Sequence, residues 1–462
     1  MVDSVLKSFE ISLEALEEIS SLLRKDFDKG LESEGDDVVV KMLNTYVHSL
    51  PDGTEKGKFL ALDLGGSNFR VLLIGKSRLL QLPYSINLSA HTEIKDREIL
   101  QLDKKLRIDD KTKQSTQEDL FDFVAQELYE FEKEHKITES LPIGFTFSFP
   151  VHQTSLISGT LIKWTKDFTA AGAVGQDVTK MLQEALKRKG NIAIDVVALV
   201  NDTTGTQMAV GIHDPDCYVG VILGTGTNAC YLEDLKAVKK YKGESNGHTH
   251  VIINTEWGAF GDDGSLEKWR TSFDRDLDLR TENRMKQIFE KMISGRYLGE
   301  MVGLVLKKLQ DDGLFLVGNA SDKLRTPQVF ESSYLSDIET GDGTDLSACK
   351  AIFQKLGIDG ATDGDFRIVR RVCEAISTRA ARLAAMGIVT ILRKIGKLDR
   401  CTVAIDGTLY EKHPHFRERM ISTMEELAPG NSVQLKKSED GSGRGAATVA
   451  AVACRLYNQH KN

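Results

Sequence analysis

Three short segments place glycines beside hydroxyl, amide or carboxylate side chains directly after an apolar, β-rich run. They are Asp63-Leu64-Gly65-Gly66-Ser67-Asn68, Gly224-Thr225-Gly226-Thr227-Asn228 and Asp406-Gly407-Thr408. A fourth, SEDGSGRG from Ser438 to Gly445, opens a small-residue helical run and contains Gly443. Glycine lets backbone N–H groups approach phosphate oxygens, and Ser or Thr adds a hydroxyl donor. A helix N-terminus adds favourable charge for an anion. An aspartate at a strand end suits magnesium through water, because that ion takes oxygen ligands and keeps several waters. Each loop alone is an ordinary hairpin turn. Four in one chain, two opening on a strand-terminal aspartate, point to nucleotide phosphates.

Asp202 ends the apolar run VVALV, with Asn201 before it and Thr203 after it. A partly desolvated carboxylate there suits a general base on an attacking hydroxyl, a role worth about 10²–10⁴-fold. It suits a helix N-cap equally well, since a helix-like run follows. Further polar groups lie in Gly- or aromatic-flanked segments: Ser148, Thr165, Lys166, Asn228, Asn254, Glu256, Gln287 and Glu290. Carboxylates accept two hydroxyls and amides both donate and accept, which suits a polyol. Gln287 and Glu290, three residues apart, are expected on one helix face. Asp262 and Asp263 are expected in loop and cap roles.

Other chemistries fare worse. Gly224 to Ala229 matches G-x-G-x-x-A, but a dinucleotide site requires a helix next, and ACYLE reads as a strand. No G-x-x-x-x-G-K-[ST] is present. The six cysteines form no CxxC pair, which fits buried thiols in a reducing compartment. His248 and His250 lack a matching ligand pattern and are expected in a solvated loop. The net charge of −8 disfavours nucleic acid as the main partner. No apolar run of about 18 residues is seen, so no membrane span is expected. The first twenty residues lack a basic and then apolar region, so no secretory signal is expected.

These groups need elements to carry them. Residues 1–48 read as helices, with Val5, Phe9, Leu13, Leu16, Leu23 and Phe27 near helical spacing. FLALDL and FRVLLI flank the first glycine loop as an antiparallel pair. YVGVIL and ACYLE repeat that pattern at 218–232, which suggests two related α/β halves. LPIGFTFSFP reads as a buried strand, and helices are expected near 115–135, 203–213, 370–396 and 444–460. The Gly- and Asp-rich stretch 337–365 reads as a surface loop.

Together LALDLGGSNFRVLL, FTFSFP, WTKDF, LVNDTTGT, GTGTNACYLE, INTEWGAFGDD, FEKMISGRYLGE, AIDGTLYEKHPHF and SEDGSGRGAA resemble the hexokinase family, in order and across nearly the whole chain. The resemblance implies the two-domain α/β fold of the actin-like ATPases (ribonuclease H-like), with a deep interdomain cleft. The implied division is a helical segment 1–55 packed on the large domain, a small α/β domain 56–199 to which 444–462 returns, and a large α/β domain 200–443. It implies transfer of the γ-phosphoryl group of MgATP to the 6-hydroxyl of glucose or a related hexose, the first step of glycolysis.

By the same resemblance Asp202 is the base, and Lys166 and Arg70 stabilise transferring charge, although Arg70 equally suits a structural ion pair. Ser148, Phe149, Thr165, Lys166, Asn201, Asp202 itself, Asn228, Asn254, Glu256, Gln287 and Glu290 line the sugar pocket. Asp63, Gly65, Gly66, Ser67, Asn68, Thr225, Gly295, Asp406, Gly407, Thr408 and Gly443 surround the nucleotide. No direct metal ligand is implied; magnesium arrives with ATP, with Asp63 reaching it through water. Inhibition by hexose 6-phosphate, a monomeric state and a cytoplasmic location are expected. Departures are Ser67 in place of Thr, Lys163 and Asp167 at the ends of the Trp164 loop, and an altered 330–336 run that puts nucleotide contacts there in doubt. The chain reads as a single kinase unit without an apolar anchor segment. A catalytically silent sugar sensor of the same fold is the alternative; it would have lost Asp202 or a phosphate loop.

Overall fold

The computed structural model describes residues 1–55, 57–65, 68–76, 99–164, 168–190, 194–243, 245–341 and 343–461. Its strands are β1 (Leu43–Asn44), β2 (Lys58–Leu64), β3 (Asn68–Lys76), β4 (Ile99–Arg107), β5 (Leu141–Phe147), β6 (Val151–Ser155), β7 (Ser158–Leu161), β8 (Ile194–Val200), β9 (Cys217–Leu223), β10 (Thr227–Asp234), β11 (His250–Asn254), β12 (Cys401–Asp406) and β13 (Val433–Lys437).

Two sheets carry the fold, in the orders β4-β3-β2-β5-β8 and β1-β11-β10-β9-β12-β13. In the first, β2, β3 and β4 pair antiparallel, and β2, β5 and β8 pair parallel. In the second, β9, β10 and β11 pair antiparallel, and β9, β12 and β13 pair parallel. The topology is therefore the same twice, as the recurrent strand, glycine turn and strand suggested. Parallel pairing needs crossover helices. Gln117–Glu134 supplies one before β5, Val178–Lys189 before β8, Asp363–Ile395 before β12 and Phe416–Leu427 before β13.

Two helices exchange between the sheets. Asp202–Gly211 leaves β8 of the first sheet but packs on β9, β10 and β12 of the second. Gly441–Lys461 leaves β13 but packs on β2, β5 and β8. They also pack on each other through Gly205 and Gly445, where a Cβ on Gly445 would collide with the Gly205 carbonyl. Only glycine permits backbones this close. The crossing brings the two helix N-termini together beside the ends of β2 and β12.

The largest apolar core surrounds the long helix Asp363–Ile395 and includes Trp257, Phe289 and Val389. The helix Leu13–Glu32, capped by Ser12 on the Ala15 N–H, lays Leu16, Ile19, Leu23 and Phe27 onto it, all fully buried. Burying each is worth about 1.5–3 kcal/mol. Among the described residues, Asp363–Ile395 is long and apolar enough to cross a membrane by length and composition, but 83% of its most apolar 18-residue window is buried inside the protein.

Two expectations are corrected, and a third in part. Residues 33–48 are not helical: the polar run from Ser33 to Asp37, with Gly35 in it, ends the helix, and Leu43 and Asn44 pair with Asn254 and Ile253 at the sheet edge. The stretch 337–365 is largely helical, in Ser332–Glu339, Ser347–Leu356 and the start of Asp363–Ile395. Its Ile338, Cys349, Ile352 and Phe353 sit at helical spacing and are buried, which outweighs the intervening Gly and Asp there. His250 begins β11, and His248 stacks on His48 with ring centroids 4.8 Å apart.

Candidate active site

Asn201, not Asp202, is the N-cap. Its backbone is extended (φ −83°, ψ 153°), and its Oδ1 accepts the Thr203 N–H at 3.0 Å and the Thr203 hydroxyl at 2.7 Å. Asp202 is thereby the first residue inside the helix, and its Oδ1 accepts the Thr203 N–H at 2.8 Å. The capping alternative belongs to its neighbour. Asp202 lies where carboxylates converge, and its charge helps raise the pKa of Asp63, Glu256 and Asp406.

Asp63, near the end of β2, is pushed up to about 6 by burial, with Asp202 and Asp440 adding to the push against a Ser442 hydrogen bond. Its Oδ1 has no hydrogen-bond partner among the described residues. Asp406, at the end of β12, is raised by burial against backbone N–H donors from Gly407 and Gly441. Crowded carboxylates with an orphaned oxygen, beside two helix N-termini, fit a cation and its phosphates.

The sign of the Asp63 shift makes a prediction. A carboxyl raised on folding binds its proton more tightly in the folded state, so it favours folding below the unfolded value and loses that contribution as pH rises through about 6. Asp63→Asn is therefore expected to stabilise the nucleotide-free protein by about 2–3 kcal/mol at pH 8 and by little at pH 4. Urea titrations at the two pH values check it; a variant no more stable than wild type at pH 8 overturns the argument.

The amide and carboxylate groups expected at the polyol come together on the second sheet. The Asn228 Nδ2 donates to Asn254 Oδ1 at 2.7 Å and to Glu256 Oε1 at 2.8 Å, and the Asn254 Nδ2 donates to Glu256 Oε1 at 2.7 Å. The Asn228 Oδ1 accepts the Glu256 N–H at 3.0 Å. Burial pushes the Glu256 carboxyl up, against the Asn254 and Asn228 donors and with the push of Asp202. Glu290 joins from the helix Ile288–Ile293, its Oε2 accepting the Thr227 N–H at 3.0 Å. Gln287 does not share that helix's face: it is the N-cap, in a left-handed conformation with φ 59°. A left-handed residue cannot continue the helix, so spacing alone misplaces it.

On the first sheet, the Ser148 N–H donates to the Leu64 carbonyl at 3.3 Å beside Gly65. Phe149 is 4% exposed and packs edge-on against Trp164 and Phe168, with centroids 4.9 Å away in each case. Trp164 and Phe168 flank Thr165 and Lys166, which lie outside the described residues. Gly66, Ser67 and the Asn68 side chain lie outside them as well.

The phosphate loops meet around the helix ends. Gly407 has φ +123° and abuts Leu223 and Gly224, which only glycine permits, and Thr408 starts a helix there. The Gly295 N–H donates to the Gly224 carbonyl at 2.8 Å, and Thr225 between these loops is exposed. The Gly443 N–H donates to Asp440 Oδ1 at 3.2 Å. Arg70 is held by two carboxylates: its Nε donates to Asp103 Oδ1 at 2.8 Å and its Nη1 pairs with Asp440. This is the ion-pair arrangement, linking β3 and β4 to the start of the last helix. Asp440 goes unmarked in the sequence reading; the Asp-Gly pair before a small-residue helix is its only local signal.

Comparison with known proteins adds two kinds of finding. One family model described as Hexokinase matches residues 1–212, and another, also described as Hexokinase, matches 218–452. The chain is 41% identical to Hexokinase-2 of Homo sapiens, over 100% of this chain and 49% of the relative. It is 43% identical to Hexokinase-1 of Mus musculus, over 100% of this chain and 46% of the relative. It thus spans about half the length of the curated relatives it matches. Among solved structures, a hexokinase from Schistosoma mansoni complexed with glucose superposes with a TM-score of 0.84 and 37% identity, over 97% of this chain and 98% of that one. A second crystal structure of a hexokinase gives 0.81 and 29%, over 98% of each chain.

Proposed function

The chain belongs to the hexokinase family, and from that premise we propose that it transfers the γ-phosphoryl group of MgATP to the 6-hydroxyl of glucose or a related hexose. The observation that carries this reading is the position of Asp202. It opens a helix close enough for its charge to act both on Asp63, whose Oδ1 lacks a partner among the described residues, and on Glu256 of the Asn228, Asn254 and Glu256 cluster. A hydroxyl held by that cluster would lie near Asp202, and phosphates near the loops.

In this reading Asp202 takes the proton of the 6-hydroxyl as its oxygen attacks the γ-phosphorus and the bond to the departing ADP oxygen breaks, and Asn201 caps the helix beside the base. Asn228, Asn254, Glu256, Gln287 and Glu290, with Ser148, Thr165 and Lys166, orient the sugar. The Thr408 N–H and the close-approaching Gly407 and Gly443 backbones, with the Gly65 and Thr225 turns, hold the nucleotide. Asp63 would hold, through water, the magnesium that comes with ATP, whose charge would offset that of the phosphates. The crossing of Asp202–Gly211 and Gly441–Lys461 supports a hinge between a small lobe, 56–199 with 444–462, and a large lobe, 200–443. Closure on sugar would exclude water, the competing nucleophile.

The same loops suit the phosphate of a hexose 6-phosphate, which we expect to compete with ATP. The six unpaired thiols, five of them buried, support a reducing compartment, and we place the protein in the cytoplasm as a monomer. Co-sedimentation of most of it with mitochondria would overturn that placement. The central test is ADP release from MgATP with and without hexose: turnover is expected to be negligible until sugar is added. Sugar binding without turnover would point instead to a silent sensor.

A further inference from the structure

Glu256, Met285 and Gln287 hold φ of 56°, 56° and 59°. Side chains rarely adopt this left-handed conformation, and they persist in it only where the surroundings hold them. Two carboxylates do so around Met285 and Gln287. Asp262 Oδ1 accepts the Ile288 N–H at 3.1 Å, and the Gln287 backbone N–H also donates to this carboxyl. Both oxygens of Asp278 accept the Met285 N–H, at 3.0 and 3.1 Å. Asp278 Oδ1 also accepts the Lys291 ammonium at 2.6 Å, and Lys291 Nζ donates to the Asn283 carbonyl at 2.7 Å. The Asp278 and Lys291 side chains are 5% and 4% exposed, so neither carries out chemistry in solvent.

The grip extends to the side chains that face the sugar cluster. A Cβ on Gly258 would collide with Gln287 Oε1, and one on Gly226 would lie 2.7 Å from Glu290 Oε2. Gln287 and Glu290 are therefore seated against two glycine backbones, with the turn behind them tied at Met285, Ile288 and Lys291.

We propose that Asp262 and Asp278 are positioning residues for the sugar: by holding the Met285–Ile288 turn they set where Gln287 and Glu290 reach. The proposal rests on the reading of Gln287 and Glu290 as sugar contacts. A residue that only supported the fold would weaken both substrates together. A positioning residue for this turn shifts the sugar alone.

The test compares Asp262→Ala and Asp262→Asn with wild type in steady-state kinetics for both substrates and in calorimetric titration of glucose. Asp262→Ala is expected to raise KM and Kd for sugar at least about tenfold while KM for ATP moves less than about twofold. Asp262→Asn keeps an acceptor oxygen and is expected to stay within about threefold of wild type. No change in sugar affinity, or equal changes for sugar and ATP, overturns the proposal. If Asp262→Ala does not fold, the second pair decides. Glycine adopts φ 56° freely, so Asp278→Ala, which removes the acceptor, combined with Met285→Gly is expected to recover at least about threefold of the sugar affinity lost in Asp278→Ala alone. No recovery overturns it. Wild-type hexose binding and turnover, run alongside, separate the two ideas. Loss of both strikes the proposed function, whereas an active wild type with an insensitive Asp262→Ala strikes the positioning role only.

Discussion

Asp202→Ala is expected to lower kcat at least about 100-fold while glucose still binds, because a positioned base contributes about 10²–10⁴-fold to transfer from a neutral hydroxyl. The structure makes the experiment clean. Asn201 carries the cap, so removing the Asp202 carboxylate leaves the helix start hydrogen-bonded through the Asn201 Oδ1 contacts to Thr203. Removing the charge also relieves Asp63, Glu256 and Asp406, each of which it pushes up. A folded variant at least as stable as wild type is therefore expected, and lost turnover will not be a folding artefact. Asp202→Asn, with the same shape and no basicity, is expected to fall as far. ADP release at saturating sugar and calorimetric titration of glucose are the two measurements. A loss under about tenfold would remove Asp202 from the base role, since a general base is worth more. Loss of glucose binding in step with kcat would make it a sugar contact instead.

The largest stability effect is expected far from the chemistry, at Arg379. Its guanidinium lies 2.7 and 2.8 Å from the two oxygens of Asp274, the side chains are 1% and 3% exposed, and the Phe9 ring centroid is 4.8 Å from it. Asp274 also completes a capping box with Thr271 at the start of Ser272–Leu279. Arg379→Ala leaves that carboxylate buried without its counter-charge, which costs about 3–5 kcal/mol. The pair joins Asp363–Ile395 to Ser272–Leu279 and to the N-terminal segment, so cooperativity of the large core is expected to weaken as well. Folding depresses the Asp274 pKa: burial raises it, and Arg379 with Thr271 more than offsets that. A depressed carboxyl contributes stability above its unfolded value and loses it as pH falls through the folded one. The gap between wild type and Arg379→Ala is thus expected at neutral pH and to narrow below about pH 4. Urea titrations at neutral pH and near pH 3.5 check both parts. A gap under about 1 kcal/mol at neutral pH would mean that water reaches Asp274, contrary to its burial.

The sequence by itself determined the local features. Alternating and continuous apolar runs bounded by glycine turns specify β2, β3, β5, β9, β10 and β12, because strand patterning and turn chemistry are properties of a few adjacent residues. The glycine loops, the strand-terminal Asp63 and Asp406, and Asp202 at a strand-to-helix junction are legible for the same reason. The doubled pattern at 60–74 and 218–232 marks the repeated topology. What only the tertiary structure decided is non-local. No spacing rule brings Asp63, Asp202, Glu256 and Asp406, spread over more than three hundred residues, to one place; the exchange of Asp202–Gly211 and Gly441–Lys461 between sheets does. The cap falls to Asn201 rather than Asp202, although both residues suit it chemically. Gln287 leaves the helix face because Asp278 and, 26 residues before Ile288, Asp262 hold its turn left-handed. The polar stretch 337–365 is helical over Ser347–Leu356 and at its two ends because a few apolar side chains find the core, an energy that composition does not reveal.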